Sequence, residues 1–328
     1  MNEELRRFVS TGTLPTPDEV RRAVDDAHER FRTDAAGSLS DVYPALSGVD
    51  PYLFGLAVVS TGGRVWEAGD ARHPFAIMSV AKPFVFALAH QTLGGDAVRE
   101  RVGVNATGLS FNDAEAVHRG DGMTNPMVNP GAIATTSLVP GIDHEERWVA
   151  IRGGLSAFAG RDLALDEAIY RSASATNHRN RELAALVARY GRLEGDPAEA
   201  LDLYTRQSSL QVTAVDLAVM GATLADGGVN PVTRARVVDA EACHDTLAVM
   251  VTAGLYETSG DWLYDVGLPG KSGIGGGIVT VAPGKGGLGT FAPLLAAAGN
   301  SVRGQLAARY LARRLGLGIL RSAPDADP

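Results

Sequence analysis

Ser79 and Lys82 stand three residues apart in the stretch Phe75-Ala76-Ile77-Met78-Ser79-Val80-Ala81-Lys82-Pro83-Phe84. On a helix that spacing puts both side chains on one face, within reach of each other. A serine hydroxyl is a poor nucleophile until a neighbouring base takes its proton. A lysine can be that base only if burial or nearby charge leaves its amine uncharged. The rest of the chain makes this lysine stand out. Lysine occurs only at Lys82, Lys271 and Lys285, and arginine supplies the other 27 of the 30 basic residues. Arginine cannot be deprotonated in a protein, so lysine here suggests a position where arginine would fail.

A second stretch could serve the same chemistry. Lys271-Ser272-Gly273 begins a strand-like, glycine-rich segment. Glycine in a strand often marks close approach of a ligand or another backbone, so this edge could offer N–H groups to an oxyanion. A phosphate loop ending in Gly270-Lys271-Ser272 is rejected, because it needs glycine where Asp265 stands and a helix where Gly273-Ile274-Gly275-Gly276-Gly277 follows. The seven histidines show no His-Glu-x-x-His spacing, His178 reads as a loop or helix-surface residue, and no metal or cofactor is expected. No Gly-x-Ser-x-Gly elbow occurs either.

The elements that must position these residues follow from patterning. The Ser79 stretch reads as a helix starting near Ser79, with Phe84, Val85, Leu88 and Ala89 on its apolar face. Pro83 fits its first turn, where a backbone N–H has no intrahelical partner. Thr16-Pro17-Asp18-Glu19 is a capping box opening a helix with Val20, Ala23, Val24, Ala27 and Phe31 on one side. Leu53–Val59 and Arg64–Ala68 read as strands joined at Thr61-Gly62-Gly63. Helical periodicity then dominates to about residue 250, as in Glu182–Tyr190 and Val215–Leu224. Lys271–Ala282 and Leu288–Phe291 read as strands flanking Pro283-Gly284-Lys285-Gly286-Gly287, with a closing helix over Val302–Leu315 and a frayed tail at Arg321–Pro328. The order predicts a discontinuous α/β domain (1–85 and 250–328), an inserted helical domain (86–249) and a cleft between them.

At 328 residues, with 45% apolar and 21% charged content, the chain can bury a real core. A net charge of −8 argues against nucleic-acid or anionic-membrane partners. Cys243 is the only cysteine, the Met1-Asn2-Glu3-Glu4 start lacks a secretory apolar region, and no apolar run reaches membrane-spanning length. A cytoplasmic protein is expected.

Ser-x-x-Lys early and Lys-Ser-Gly late match the pairing of Ser-x-x-Lys with Lys-Thr-Gly in penicillin-recognising enzymes. The residues between narrow the match. Thr107-Gly108-Leu109-Ser110-Phe111-Asn112, Asn125-Pro126-Met127-Val128-Asn129-Pro130-Gly131-Ala132-Ile133, Arg179-Asn180, Gly267-Leu268-Pro269-Gly270-Lys271-Ser272-Gly273 and Gly299-Asn300-Ser301-Val302-Arg303-Gly304 follow the Ser79 stretch in that order. Together they resemble the serine-dependent glutaminase family, from about Tyr43 to Gly304. The resemblance implies a β-lactamase-like α/β fold, an antiparallel sheet flanked by helices with an inserted all-helical domain. It also implies hydrolysis of L-glutamine to L-glutamate and ammonia without a metal, in a homodimer or homotetramer. It carries Ser79 over as nucleophile, Lys82 as base and Tyr256 as the phenol relaying the proton. Tyr204 would touch substrate, Asn129 and Asn180 would hold its α-carboxylate and α-amino end, and Tyr43 would wall the pocket. Ile274 and Ser79 would give N–H groups to the oxyanion.

One departure bears on substrate. The family has a Ser-Glu dipeptide whose glutamate, seven residues before the asparagine, contacts the α-ammonium; here the dipeptide is Ser172-Ala173. Asp166 and Glu167 are the nearest carboxylates that could stand in. Ala292-Pro293-Leu294-Leu295-Ala296 also departs from the family's Ser-Pro-x-Leu-Asp, and the Tyr43 segment is one residue short. Two other expectations compete: a serine amidase or β-lactam-type acylating enzyme with another substrate, and an inactive binding protein of the same fold.

Overall fold

The computed structural model describes residues 13–320, so the expected frayed tail lies outside the described residues. The capping box forms as predicted. Thr16 N–H donates to the Glu19 carboxylate at 2.9 Å and opens the Pro17–Phe31 helix, whose Val20, Ala23, Val24 and Ala27 are buried. The closing helix, Val302–Arg314, packs beside it.

Among the described residues seven strands follow in chain order: β1 (Gly55–Ser60), β2 (Val65–Gly69), β3 (Phe75–Ala76), β4 (Gln211–Val212), β5 (Gly270–Ser272), β6 (Gly277–Ala282) and β7 (Gly286–Phe291). Five of them form one antiparallel sheet in the order β2-β1-β7-β6-β5, with Val58 opposite both Trp66 and Leu288. Strands from the two ends of the chain therefore share one sheet. One face buries Leu56, Val58, Ile278 and Leu288 against the Pro17–Phe31 and Val302–Arg314 helices.

The other face receives the Ala214–Ala225 helix, every residue of which is buried except Val215. The glycines of β7 make that contact a backbone-to-backbone one. A Cβ at Gly287 would lie 2.2 Å from the Ala218 carbonyl oxygen, and one at Gly289 would lie 2.0 Å from that of Ala214. Alternate strand residues share a face, so the two glycines clear one flat track for the helix. Gly289→Ala should push the helix off the sheet and cost about 1–3 kcal/mol. A lower urea midpoint would report that, and an unchanged midpoint would refute backbone contact as the reason for glycine.

The middle of the chain is helical as expected: Gly95–Val102, Ala114–Arg119, Asn129–Ser137, His144–Ala159, Glu167–Thr176, His178–Arg189, Pro197–Ser208 and Ala240–Ala253 accompany the helix on the sheet. Among the described residues no helix is long and apolar enough to cross a membrane. The expected single strand Lys271–Ala282 is corrected to two strands. β5 and β6 are joined by a tight turn in which Gly273 N–H donates to Gly277 O at 3.0 Å, and Gly276 takes φ +94°. The expected helix start at Ser79 is also refined. Met78–Val80 is a 3₁₀ turn, and the α-helix runs from Ala81 to Leu93, with Pro83 in its first turn.

Candidate active site

The segment ahead of Ser79 is fastened from both sides. β3 pairs with β4, and Ile77 N–H donates to Leu210 O at 2.9 Å. Met78 then takes φ +49°, a region L-residues rarely enter, and hands the chain to Ser79. The turn after β5 presses on the same spot: a Cβ on Gly273 would sit 3.1 Å from the Ser79 backbone nitrogen. Ile274, next in that turn, thus stands beside Ser79 on the edge of the sheet, and both line one cavity.

Lys82 is 2% exposed and has no carboxylate partner among the described residues. Its Nζ donates to Asn129 Oδ1 at 2.7 Å and to Met127 O at 3.3 Å. Burial alone pulls its pKa down from 10.5 to about 7, because the charged form loses hydration that these neutral oxygens do not replace. Both oxygens come from the Asn125–Ile133 signature, which reads as scaffolding. Asn125 Nδ2 donates to Asn105 O and its Oδ1 accepts from Met127 N, while Asn129 N–H donates to Phe111 O at 2.8 Å. A Cβ on Gly131 would stand 2.0 Å from Asn125 O, so only glycine closes that turn.

Asn129 starts a chain of buried amides. Its Oδ1 also accepts from Tyr204 OH at 3.2 Å, and its Nδ2 donates to Asn180 Oδ1 at 2.8 Å. Asn180 Nδ2 donates to Asn177 Oδ1 at 2.6 Å, and Tyr43 OH approaches that same oxygen at 3.5 Å. Asn177 Nδ2 donates to Thr205 Oγ1 at 3.2 Å. Burial raises the Tyr43 pKa and holds that of Tyr204 well above 10, the Ser79 hydroxyl beside Tyr204 pulling the other way.

Tyr256 lies behind this layer, buried, with its ring 4.7 Å from that of Phe111. Its backbone also takes a positive φ, +60°. Its hydroxyl donates to Ser272 O at 3.1 Å, and burial pushes its pKa up to about 12 against the influence of the Ser79 hydroxyl. Lys271, wholly buried, donates to the same carbonyl at 2.7 Å with its Nζ 4.0 Å from the centre of the Tyr256 ring. Burial, then the neighbouring Lys82, hold its pKa well below the usual lysine value. Ser272 Oγ in turn bonds Asn300 Oδ1, and Asn300 Nδ2 donates to Thr258 Oγ1 at 2.9 Å. The Gly299–Gly304 signature is thus a latch behind Tyr256. Ser301 caps the last helix, and Arg303 donates to the carbonyls of Arg32, Pro51 and Tyr52.

Of the residues singled out from sequence, Tyr43, Ser79, Asn129, Asn180, Tyr204 and Ile274 line one cavity of about 110 Å³. Lys82 and Tyr256 are not part of that lining; each sits one layer behind it, Lys82 bonded to Asn129 and Tyr256 packed on Phe111. Sequence reasoning missed Asn177 and Thr205, which end the amide chain. The available signal was Asn177 three residues before Asn180, at the junction of two helices. His178 opens the second of these helices, exposed as expected.

Ala173 is 3% exposed and lines the cavity. Neither suggested stand-in reaches it. Asp166 caps its helix by accepting from Ala168 and Ile169 N–H and takes Gln211 Nε2 at 3.0 Å, while Glu167 is exposed and faces Arg171. Among the described residues no Asp or Glu lines the cavity.

An antiparallel sheet flanked by helices, with Ser-x-x-Lys at a helix start beside the β5 edge, is the β-lactamase-like arrangement. The family model described as Glutaminase matches residues 37–320. Glutaminase 2 of Yersinia pestis is 62% identical over 327 residues, 99% of this chain and 96% of that one. The glutaminase of Colwellia psychrerythraea is 45% identical over 302 residues, 92% and 97% of the two chains. The solved structure of the probable glutaminase ybaS superposes with a TM-score of 0.93 at 42% identity, covering 94% of this chain and all of that one. Mglu in its glutamate form gives 0.86 at 36%, covering 95% and 70%. The chain belongs to the glutaminase family.

Proposed function

We propose that the protein hydrolyses the side-chain amide of L-glutamine to L-glutamate and ammonia through an acyl-enzyme on Ser79. The names of its relatives support the net reaction, and the state of Lys82 supports the route. A neutral lysine amine has two N–H bonds and one lone pair. Both N–H bonds are engaged by Asn129 Oδ1 and Met127 O. The lone pair is what remains, and Lys82 acts as the base that takes the Ser79 proton.

Ser79 Oγ then attacks the amide carbon. The carbonyl oxygen gains charge and is met by the backbone N–H groups of Ser79 and Ile274. Tyr256 keeps its proton at neutral pH and relays one between Lys82, Ser79 and the departing nitrogen, which leaves as ammonia. Water then attacks the acyl carbon, Lys82 again accepting the proton, and releases the acid. Asn129 and Asn180 hold the α-carboxylate end, with Tyr204 and Tyr43 as walls.

The observation that carries this route is a buried lysine solvated only by neutral oxygens. It predicts a pH dependence. Burial lowers the Lys82 pKa, so the amine is the active base above about 7 and is protonated below it. The kcat/KM for ammonia release should fall about tenfold per pH unit below that point. A flat profile from pH 5 to 9 would remove Lys82 from the role of base.

A further inference from the structure

The walls of the Ser79 cavity have an uneven hydrogen-bonding inventory. Asn129 Oδ1 is filled by Lys82 and Tyr204, and Asn177 Oδ1 by Asn180 and Tyr43. Asn180 Oδ1 has one lone pair left after accepting from Asn129. Each of the three amide nitrogens, by contrast, uses one N–H within the chain of amides and keeps another. Within this chain of three amides, three N–H groups therefore stand against one lone pair, the lining's other acceptors being Asn112 Oδ1 and hydroxyls such as those of Thr176, Ser208 and Ser209.

Charge points the same way. Among the described residues Arg179, itself paired with Glu182 at 3.1 Å, is the one charged side chain lining the cavity, and Ala173 puts a methyl group on the wall. The nearest acids on that helix are tied up elsewhere, as described above. Such a wall suits a carboxylate, which accepts only. An ammonium brings three donors and a charge, and it loses hydration here without an ionised partner.

We propose that the preferred substrates are five-carbon ω-amides whose α position carries a carboxylate and no positive charge, with L-glutamine a poorer member of the set. This rests on the amide-hydrolase reading above and names the substrate class of that same site. The reaction is unchanged: the C–N amide bond is cleaved by water, and the products are the carboxylate and ammonia.

The test compares ammonia release from glutaramate, which has hydrogen where glutamine has its ammonium, with release from L-glutamine. For the wild type, kcat/KM should favour glutaramate by about tenfold or more. Ala173→Glu, which restores a carboxylate to the wall, should reverse the order; Ala173→Gln, similar in size and uncharged, should keep the wild-type order. If the larger side chains prevent folding, the wild-type ratio decides by itself. Equal or better use of L-glutamine by the wild type would overturn the preference alone. Release from neither amide would overturn both the preference and the reading beneath it.

Discussion

Ser79→Ala is expected to lower ammonia release from glutamine by at least about 10⁴-fold, because the reaction would lose its covalent route. Ser79 lies in a cavity whose other hydroxyls are differently engaged. Tyr204 donates to Asn129, Tyr43 approaches Asn177, and Ser208 and Ser209 donate to backbone carbonyls. Among the described residues, Ser79 is the lining hydroxyl that lies against the turn after β5 and three residues ahead of Lys82. Ser79 is half-buried and its hydroxyl meets only the hydroxyls of Tyr204 and Tyr256, each of which has another partner, so the variant should keep its melting temperature. Retention of more than about 1% of wild-type kcat at an unchanged melting temperature would exclude an acyl-enzyme on this residue.

Lys82→Arg should cost about 10²–10⁴-fold, the usual share of a general base. The substitution keeps hydrogen-bonding capacity but fixes a positive charge and removes the ability to lose a proton. A guanidinium is also larger than the space a 2%-exposed amine occupies, so Lys82→Met serves as the smaller partner variant. Methionine fills a similar volume with no base, and Asn129 Oδ1 keeps its bond from Tyr204. Both variants should lose activity, and the residual rate of Lys82→Met should no longer rise through pH 7. A residual rate that still titrates there would assign the limb to another group and leave Lys82 a structural amine.

Much of this site is written in residue types. The spacing of Ser79 and Lys82, the scarcity of lysine, and the capping box at Thr16 each have a local physical meaning that survives folding. The glycine-rich run after Lys271 announced close approach, but not where it bends. Glycine and β-branched residues continue unbroken across the β5–β6 turn, so composition reads one strand where Gly276 makes two. The Ala214–Ala225 helix was visible as a helix, while its partner was not. A helix buried nearly all round carries no stripe to say which side meets a sheet, and the answer lay in Gly287 and Gly289 far along the chain. Asn177 escaped notice because an asparagine between two helices ordinarily satisfies its own turn. Asp166 was offered as a stand-in for an acid at 173 on proximity in sequence alone, and its duty as a helix cap decides against it.

Two of the backbone positions with positive φ at non-glycine residues, Met78 and Tyr256, fall at this site. Conformations of this kind cost about 1–3 kcal/mol each and persist only where surrounding packing imposes them.

The sheet that imposes them takes its strands from both ends of the chain. During translation, Ser79 and Lys82 leave the ribosome long before β5, Tyr256 and the Asn300 latch have been made. A nascent or prematurely terminated chain therefore carries the hydroxyl and the amine without the strand edge that would receive the developing charge. Hydrolytic competence should arrive abruptly once the segment from Tyr256 to Asn300 has been made, so chains stopped before it would be inert.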